Sequence, residues 1–206
     1  MKKVGVFATR SLLALLGALV AVSFVPSAAL AQDHDSHNMS SQQSVSTPES
    51  RARENALVEA VQRVTKRFRN GTPPSEGQYF LAFGCVSGGD FGAMGLHFIN
   101  SQFAGNDEVK IDQPEILLYE PLPNGKIRLT GVDYLVDKKA WEANPAHHGP
   151  PSLNGQLFHL FDAPNRFGLD AFYTLHVWAW KDNPNGTFTN WNPNVSCDAF
   201  NDPQYQ

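Results

Sequence analysis

Short runs of β-branched and aromatic residues, separated by Gly, Pro and Asn, fill the chain from Tyr79 onward. This alternation is typical of strands joined by turns. A Pro-Leu-Pro-Asn-Gly segment at 121–125 predicts a hairpin connection. The strands are predicted near 79–85, 95–100, 114–119, 126–136, 156–160 and 171–180. The pattern therefore predicts a mainly antiparallel β-sheet or small barrel.

A helical pattern precedes these strands. Thr47-Pro48 is a helix-start signal, and apolar residues then recur at three- and four-residue spacing from Ala52 to Phe68. We expect an N-terminal amphipathic helix packed on the sheet, which makes the fold class α+β. The polar face is basic, and we interpret it as solvated, with docking to an anionic membrane surface as the less favoured alternative. Its basic residues are Arg51, Arg53, Arg63, Lys66, Arg67 and Arg69.

The first 31 residues have the pattern of a secretory signal peptide. Lys2, Lys3 and Arg10 form a basic start, an apolar run follows over 11–24, and Ala29-Leu-Ala31 is a small-x-small exit. Residues 32–47 are rich in Ser, Gln and His and predict a flexible arm. The expected organisation is a signal peptide at 1–31, an arm at 32–47 and one globular domain at 48–206, in a periplasmic or extracellular protein.

Charge and cysteine content narrow the class of protein. The signal segment carries three of the 16 basic residues and none of the 20 acidic ones, so the remaining chain has a net charge of −7. Such an acidic chain argues against a nucleic-acid partner, which requires clustered Lys and Arg. The two cysteines, Cys85 and Cys197, predict one disulfide in an oxidising compartment. Two free thiols are the alternative.

Three histidines on predicted strands form the candidate functional site. They are His97, His159 and His176, and Glu115 lies on a predicted buried strand between the first two. Three imidazoles and a carboxylate would make a four-ligand set for one divalent transition metal ion such as Zn, Cu or Fe. None of these histidines has a His-x-His or His-x-x-x-His spacing, so the prediction requires the strands to bring them together.

Other roles for the histidines stay open. Each can hydrogen-bond a backbone carbonyl or Tyr134 instead of a metal. Glu115 can also orient His176 as a general base without any metal. If a metal site were catalytic, the ion would activate water or oxygen, with Tyr134 or Glu120 supporting the ligands. Whether the protein is an enzyme does not follow from the sequence.

A second candidate site is the Trp- and Asn-rich stretch near the end of the chain. Trp178, Trp180 and Trp191, with Tyr134, could stack a sugar or another small organic ligand in a non-enzymatic binding module. Packing of this stretch beside Cys197 is the favoured interpretation. A purely structural envelope protein is the third alternative.

Several segments resemble an uncharacterised family of exported bacterial proteins. They are Gly92-Ala-Met-Gly-Leu-His-Phe-Ile-Asn100, Pro114-Glu-Ile-Leu-Leu-Tyr-Glu-Pro121, Gly131-Val-Asp-Tyr134, Leu175-His-Val-Trp178 and Asn183-Pro-x-Gly-x-Phe-x-x-Trp-Asn-Pro193. The resemblance extends over about residues 52–198. It implies an exported single domain, and it implies nothing about the substrate because that family has no established activity.

Overall fold

The computed structural model describes residues 47–69, 71 and 78–201. The predicted signal peptide, and all of the predicted arm except Thr47, lie outside these residues. The helices are α1 (Pro48–Thr65) and α2 (Lys138–Ala143). The strands are β1 (Tyr79–Ser87), β2 (Ala93–Asn100), β3 (Ile116–Pro121), β4 (Ile127–Asp137), β5 (Ser152–Leu153), β6 (Gln156–Leu157), β7 (His159–Phe161) and β8 (Phe172–Val177).

Six of these strands form one antiparallel sheet in the order β1-β2-β3-β4-β8-β7, and β5 pairs with β6. This confirms the predicted α+β class with a mainly antiparallel sheet. Among the described strands, β1 and β7 stand at the two ends of the order, so the sheet is open and is not a closed barrel. The short helix α2 was not predicted.

Helix α1 covers one face of the sheet. The Thr47 hydroxyl accepts a hydrogen bond from the Ser50 amide at 3.1 Å, so the predicted cap starts the helix. Leu57 and Val61 are fully buried and join the larger hydrophobic core. Their partners on this helix-side face include Leu96, Phe98, Leu117, Tyr119, Val132, Tyr134, Val136, Leu175 and Val177.

The opposite face, which we call the site face, carries a smaller apolar cluster. Ile116, Leu118 and Trp178 contribute to it from the strands and the residue after β8, and Val195 contributes from the C-terminal segment. That segment is anchored by a bridge between Ala93 and Asn192. The predicted disulfide is confirmed, and it joins Cys85 in β1 to Cys197 across a Cα–Cα distance of 5.7 Å.

Strand register decides which polar side chains reach the site face. Residues directly opposite each other in a sheet point to the same side. Asp133 pairs with Ile116 on one side and with His176 on the other, and His97 pairs with Leu118. His97, Asp133 and His176 therefore share the site face.

Strand β8 ends earlier than predicted. The predicted alternation would place Trp180 on the face of His176, but β8 stops at Val177. The Trp180 indole instead donates to the Thr65 hydroxyl of α1 at 2.9 Å.

No helix in the described part of the chain is both long enough and apolar enough to cross a bilayer.

Candidate metal centre

Three buried side chains from three different strands converge on the site face. His97 of β2, Asp133 of β4 and His176 of β8 each place one potential ligand atom within 4.8 Å of those of the others. Their exposed fractions are 4%, 3% and 1%. We call this group the His/Asp/His cluster. Because its donors are nitrogen and oxygen atoms on rigid strands, the cluster can hold a metal ion.

The His97 ring is oriented by its own strand. Its Nδ1 lies 3.0 Å from the Gly95 carbonyl oxygen. A carbonyl only accepts hydrogen bonds, so Nδ1 carries the proton and Nε2 carries the lone pair. Burial, with a smaller effect of His176, lowers the pKa of His97 to about 4. The ring is therefore neutral at pH 7, as metal coordination requires.

Asp133 is held by a neighbour on β8. The Thr174 hydroxyl donates a hydrogen bond to Oδ1 of Asp133. Burial raises the pKa of Asp133 to about 6, against a smaller opposing effect of the Thr174 bond. The carboxylate remains the main form at neutral pH, which supplies one negative charge to the cluster.

His176 is the member of the cluster whose side chain lacks hydrogen-bond partners. Neither of its ring nitrogens makes a hydrogen bond with any described residue, although Nδ1 lies 3.4 Å from Oδ1 of Asp133. Burial lowers the pKa of His176 to about 3, so the ring is neutral. Leaving a buried polar group without a partner costs about 1–3 kcal/mol. This unpartnered imidazole is the strongest indication that the cluster binds something.

A glycine allows β4 and β8 to meet beside the cluster. Gly131 lies two residues before Asp133, and a Cβ placed on it would come within 2.2 Å of the Val177 carbonyl oxygen. Any side chain at this position would push the strands apart and displace the Asp133–His176 pair. The glycine therefore helps to position two of the three donors.

A small cavity lies directly above the cluster. It is lined by the three cluster residues, Thr174, Met94 and a cover of apolar side chains, and it has a volume of about 20 Å³. That volume fits a single water molecule or a metal ion. The cover, which comes from β1, β7, β8 and the loop at 162–171, includes the aromatic residues Phe83, Phe161, Phe167 and Phe172. We call this space the inner cavity.

The structure places Glu115 away from the cluster. It directly precedes Ile116, which faces the cluster, so Glu115 points to the helix side. There its Oε2 accepts a hydrogen bond from the Leu135 amide at 3.2 Å. Glu120 is likewise occupied elsewhere, because it accepts bonds from Arg128 and from Lys181. Neither residue belongs to the His/Asp/His cluster.

His159 lies near the cluster without joining it. It pairs with Thr174 across β7 and β8, so it shares the site face. Its ring is exposed, and Nδ1 lies 3.0 Å from the Asn190 side-chain oxygen. A positive charge on its ring would lower the pKa of Asp133 and of His176. His159 is therefore a residue at the rim of the cluster.

The aromatic residues proposed as a ligand surface have separate contacts. Tyr134 is buried on the helix side and donates to the Ile111 carbonyl at 2.8 Å. Trp178 is buried and donates to the Thr189 carbonyl at 2.6 Å. Trp180 packs at the end of α1, and the guanidinium of Arg69, four residues after that helix, lies 4.2 Å from its ring centroid. Trp191 is half-buried, and the guanidinium of Arg166 lies 5.6 Å from its ring centroid.

Asp133 is the member of the candidate site that sequence reasoning missed. The sequence carried one signal for it, because Asp is depleted in strands and here it stands between Val132 and Tyr134 in a strongly apolar run. A buried carboxylate in such a run requires a partner. Choosing between Asp133 and Glu115 requires the strand register, because a shift of one residue reverses the face that each side chain takes. That register could not be predicted from the sequence.

Comparison of the chain with protein-family models, with curated proteins and with solved structures gave no match. The resemblance to an uncharacterised exported family therefore stays a prediction.

Proposed function

We propose that the His/Asp/His cluster binds one divalent transition metal ion and that the protein is an exported metal-binding protein. The observation that carries the proposal is the buried His176 ring, both of whose nitrogens lack a partner among the described residues. A metal would take up a lone pair of that ring. It would also neutralise the buried Asp133 carboxylate, whose isolation from water is costly.

The geometry requires only a small adjustment. Ligand bonds of about 2.0–2.1 Å at tetrahedral angles place two donors of one ion about 3.3–3.4 Å apart. The donors of the cluster already lie within 4.8 Å of one another. Side-chain rotations that draw the donors together by up to about 1.5 Å would complete the site.

The donor set points to zinc, copper or iron. Two neutral imidazoles and one carboxylate are ligands for these ions, and an O-rich set for Mg²⁺ or Ca²⁺ is not what the cluster offers. Met94 lines the same cavity, and its thioether sulfur would favour copper if it joined the set. Replacing Met94 with Leu would weaken copper binding selectively in that case and leave zinc binding unchanged.

Export is the second part of the proposal. It is supported by the signal-peptide pattern at 1–31 and by the Cys85–Cys197 disulfide, because disulfides persist in oxidising compartments. Fractionation of the producing cells would test it: an intact N-terminus on protein found in the cytosol would contradict export.

Metal analysis of the purified protein tests the main proposal. After incubation with Zn²⁺, Cu²⁺ or Fe²⁺ and removal of free ion, we expect one equivalent of at least one metal to remain bound. Saturation at 100 times the Kd should add about 2.7 kcal/mol to the free energy of unfolding. We expect His176→Ala, His97→Ala and Asp133→Asn each to lose the bound metal and the rise in Tm.

An exposed histidine provides the matched control. His148 lies outside the cluster, so His148→Ala should keep the full equivalent of metal. Circular dichroism of each metal-free variant checks that the fold survives the substitution. A protein that retains no metal and shows no rise in Tm with any of the three ions would refute the proposal, as would full retention in Asp133→Asn and His176→Ala.

A further inference from the structure

A wider depression adjoins the inner cavity and opens toward the surface. It has a volume of about 440 Å³, within the usual range for small-molecule sites. It shares Phe83, Ile116, Leu135, Leu169 and Phe172 with the inner cavity. We call it the outer groove, and the side chains that it shares with the inner cavity place it next to the His/Asp/His cluster.

Apolar side chains stand exposed along this groove. Phe80 is 54% exposed, Phe83 is 39% exposed and Leu169 is 37% exposed. They are neighbours in one lining, not scattered surface residues. Contiguous exposed apolar surface is typical of a binding site, since it would otherwise be buried in the core.

Phe83 occupies an unusual backbone conformation at the groove. Its φ is +61°, in the left-handed region that bulky side chains rarely adopt, and it lies in the irregular part of β1 between Ala82 and Cys85. This conformation costs about 1–3 kcal/mol. Its ring lies 5.5 Å from that of Phe167, over the inner cavity. A residue held in strain while still exposed is typical of a functional position.

The charges along the groove have one sign. Among the described residues that line it, Asp137 and Asp170 are the charged ones, and neither Lys nor Arg is present. Asp137 caps helix α2 by accepting a hydrogen bond from the Ala140 amide at 2.6 Å. Asp170 is exposed. The groove therefore combines an aromatic wall with an anionic edge.

We propose that the outer groove binds a small molecule with an aromatic or alkyl body and a protonated amine. The body would pack on Phe80, Phe83 and Phe172, and the amine would lie at Asp137 and Asp170. Anionic molecules of the same shape would be repelled by these carboxylates. That the bound molecule lies next to a metal ion rests on the proposed function, whereas binding in the groove does not.

Three molecules of nearly equal size test the chemical class. Phenethylamine, 2-phenylethanol and phenylacetate differ mainly in the charge of the head group, and calorimetric titration into the metal-free and metal-loaded protein gives a Kd for each. We expect phenethylamine to bind at least tenfold more tightly than phenylacetate, with 2-phenylethanol between them. Added salt should weaken the binding of phenethylamine and leave the binding of 2-phenylethanol nearly unchanged, because salt screens the interaction between charges.

Two substitutions test the location. Phe83→Gly removes the ring at a position whose positive φ suits glycine. Asp170→Asn removes the exposed charge with little change of shape. We expect each to weaken phenethylamine binding at least fivefold. Phe91→Ala and Asp90→Asn are the controls, because Phe91 is 68% exposed, Asp90 is exposed and neither lines the groove. Both controls should bind phenethylamine as the unmodified protein does.

The metal site and the groove can fail independently. His176→Ala should lose metal and keep phenethylamine binding, whereas Asp170→Asn, which lies outside the inner cavity, should keep metal and bind phenethylamine at least fivefold more weakly. The groove proposal would be overturned if none of the three molecules binds, if phenylacetate binds as tightly as phenethylamine, or if Phe83→Gly and Asp170→Asn bind the amine normally. None of these results would bear on metal binding.

Discussion

Asp133 in β4 and Glu115, the residue just before β3, carry two buried carboxyl groups that face opposite sides of the sheet. Asp133 lies beside two imidazoles and a hydroxyl, which give a negative charge partners on the site face. Glu115 lies on the helix side, where the Leu135 amide is its hydrogen-bond donor. The difference in surroundings gives the two residues different chemistry, although both are 3% exposed.

Glu115 should make the protein less stable as the pH rises. Burial raises its pKa from 4.5 to about 8, against smaller effects of backbone hydrogen bonds. Between these values the folded state binds a proton that the unfolded state has released, so the free energy of unfolding falls by up to about 1.4 kcal/mol per pH unit. Glu115→Gln removes this titration, so it should flatten the pH dependence and be more stable than the unmodified protein at pH 8.

Urea unfolding at pH 5, 6.5 and 8, with chelator present to exclude metal, measures this effect. Asp133 also has a raised pKa, but it is present in both proteins and its charge has only a small raising effect on the pKa of Glu115, so its titration nearly cancels in the comparison. Glu59→Gln, at an exposed position on α1, should leave the pH dependence as it is. Equal pH dependence in Glu115→Gln and the unmodified protein would show that Glu115 ionises normally.

Residue type predicted part of the candidate site. His97 and His176 could be selected because a histidine in an apolar strand requires partners. The third member could not be selected, since a shift of one residue in register reverses which side chains face the site. In the same way, the sequence predicts a strand at His159, but the exposure of its ring depends on how far the 162–171 loop covers β7.

At the scale of elements, the loop between β7 and β8 controls access to the inner cavity. The Asn165 side chain holds this loop together. Its Nδ2 donates to the Asp162 and Leu169 carbonyls, and its Oδ1 accepts from the Phe167 and Leu169 amides. Phe167 and Leu169 both line the inner cavity. The amide of one residue therefore fixes the apolar cover above the cluster.

Asn165→Ala should loosen this cover without unfolding the protein. The four hydrogen bonds are lost in a partly exposed loop, so we expect a decrease of about 1 kcal/mol in the free energy of unfolding. Hydrogen exchange at the Phe167 and Leu169 amides should accelerate at least tenfold, and bound metal should pass to a chelator faster. Asn124→Ala is the control, because Asn124 accepts from the Lys126 amide in a different turn. Unchanged exchange in Asn165→Ala would mean that packing alone holds the loop.

Local sequence signals predicted most of the elements. The Thr47-Pro48 start and the spacing of Leu57 and Val61 located α1, and the turn residues at 121–125 located the connection between β3 and β4. The early end of β8 and the irregularity at Phe83 were not predictable. Both depend on contacts with distant parts of the chain, namely Thr65 for Trp180 and Phe167 for Phe83.

At the scale of the whole molecule, the sheet keeps the larger hydrophobic core and the candidate metal site on opposite faces. Its helix side holds the larger core, which includes Leu57 and Val61 of α1. Its other side holds the candidate metal site, and the C-terminal segment packs there through Val195. The disulfide joins Cys197 of this segment to Cys85 of β1, the strand at one end of the sheet order. The bond therefore ties the segment on the site face to an edge of the sheet.

Removing this disulfide should lower both stability and metal retention. The bond joins cysteines 112 positions apart, and closing a loop of that length stabilises a fold by up to about 4–5 kcal/mol in the chain-entropy model. We expect the free energy of unfolding of a Cys85→Ala/Cys197→Ala variant to be about 2–5 kcal/mol lower, so the variant should unfold at a lower urea concentration. Reductant should move the urea midpoint of the unmodified protein to nearly that of the double variant and leave the midpoint of the double variant unchanged.

If the double variant still folds, its metal should exchange faster, because Val195 and Asn192 pack against strands that position the cluster. An unchanged midpoint in the double variant would mean that the C-terminal segment is held by packing and hydrogen bonds alone.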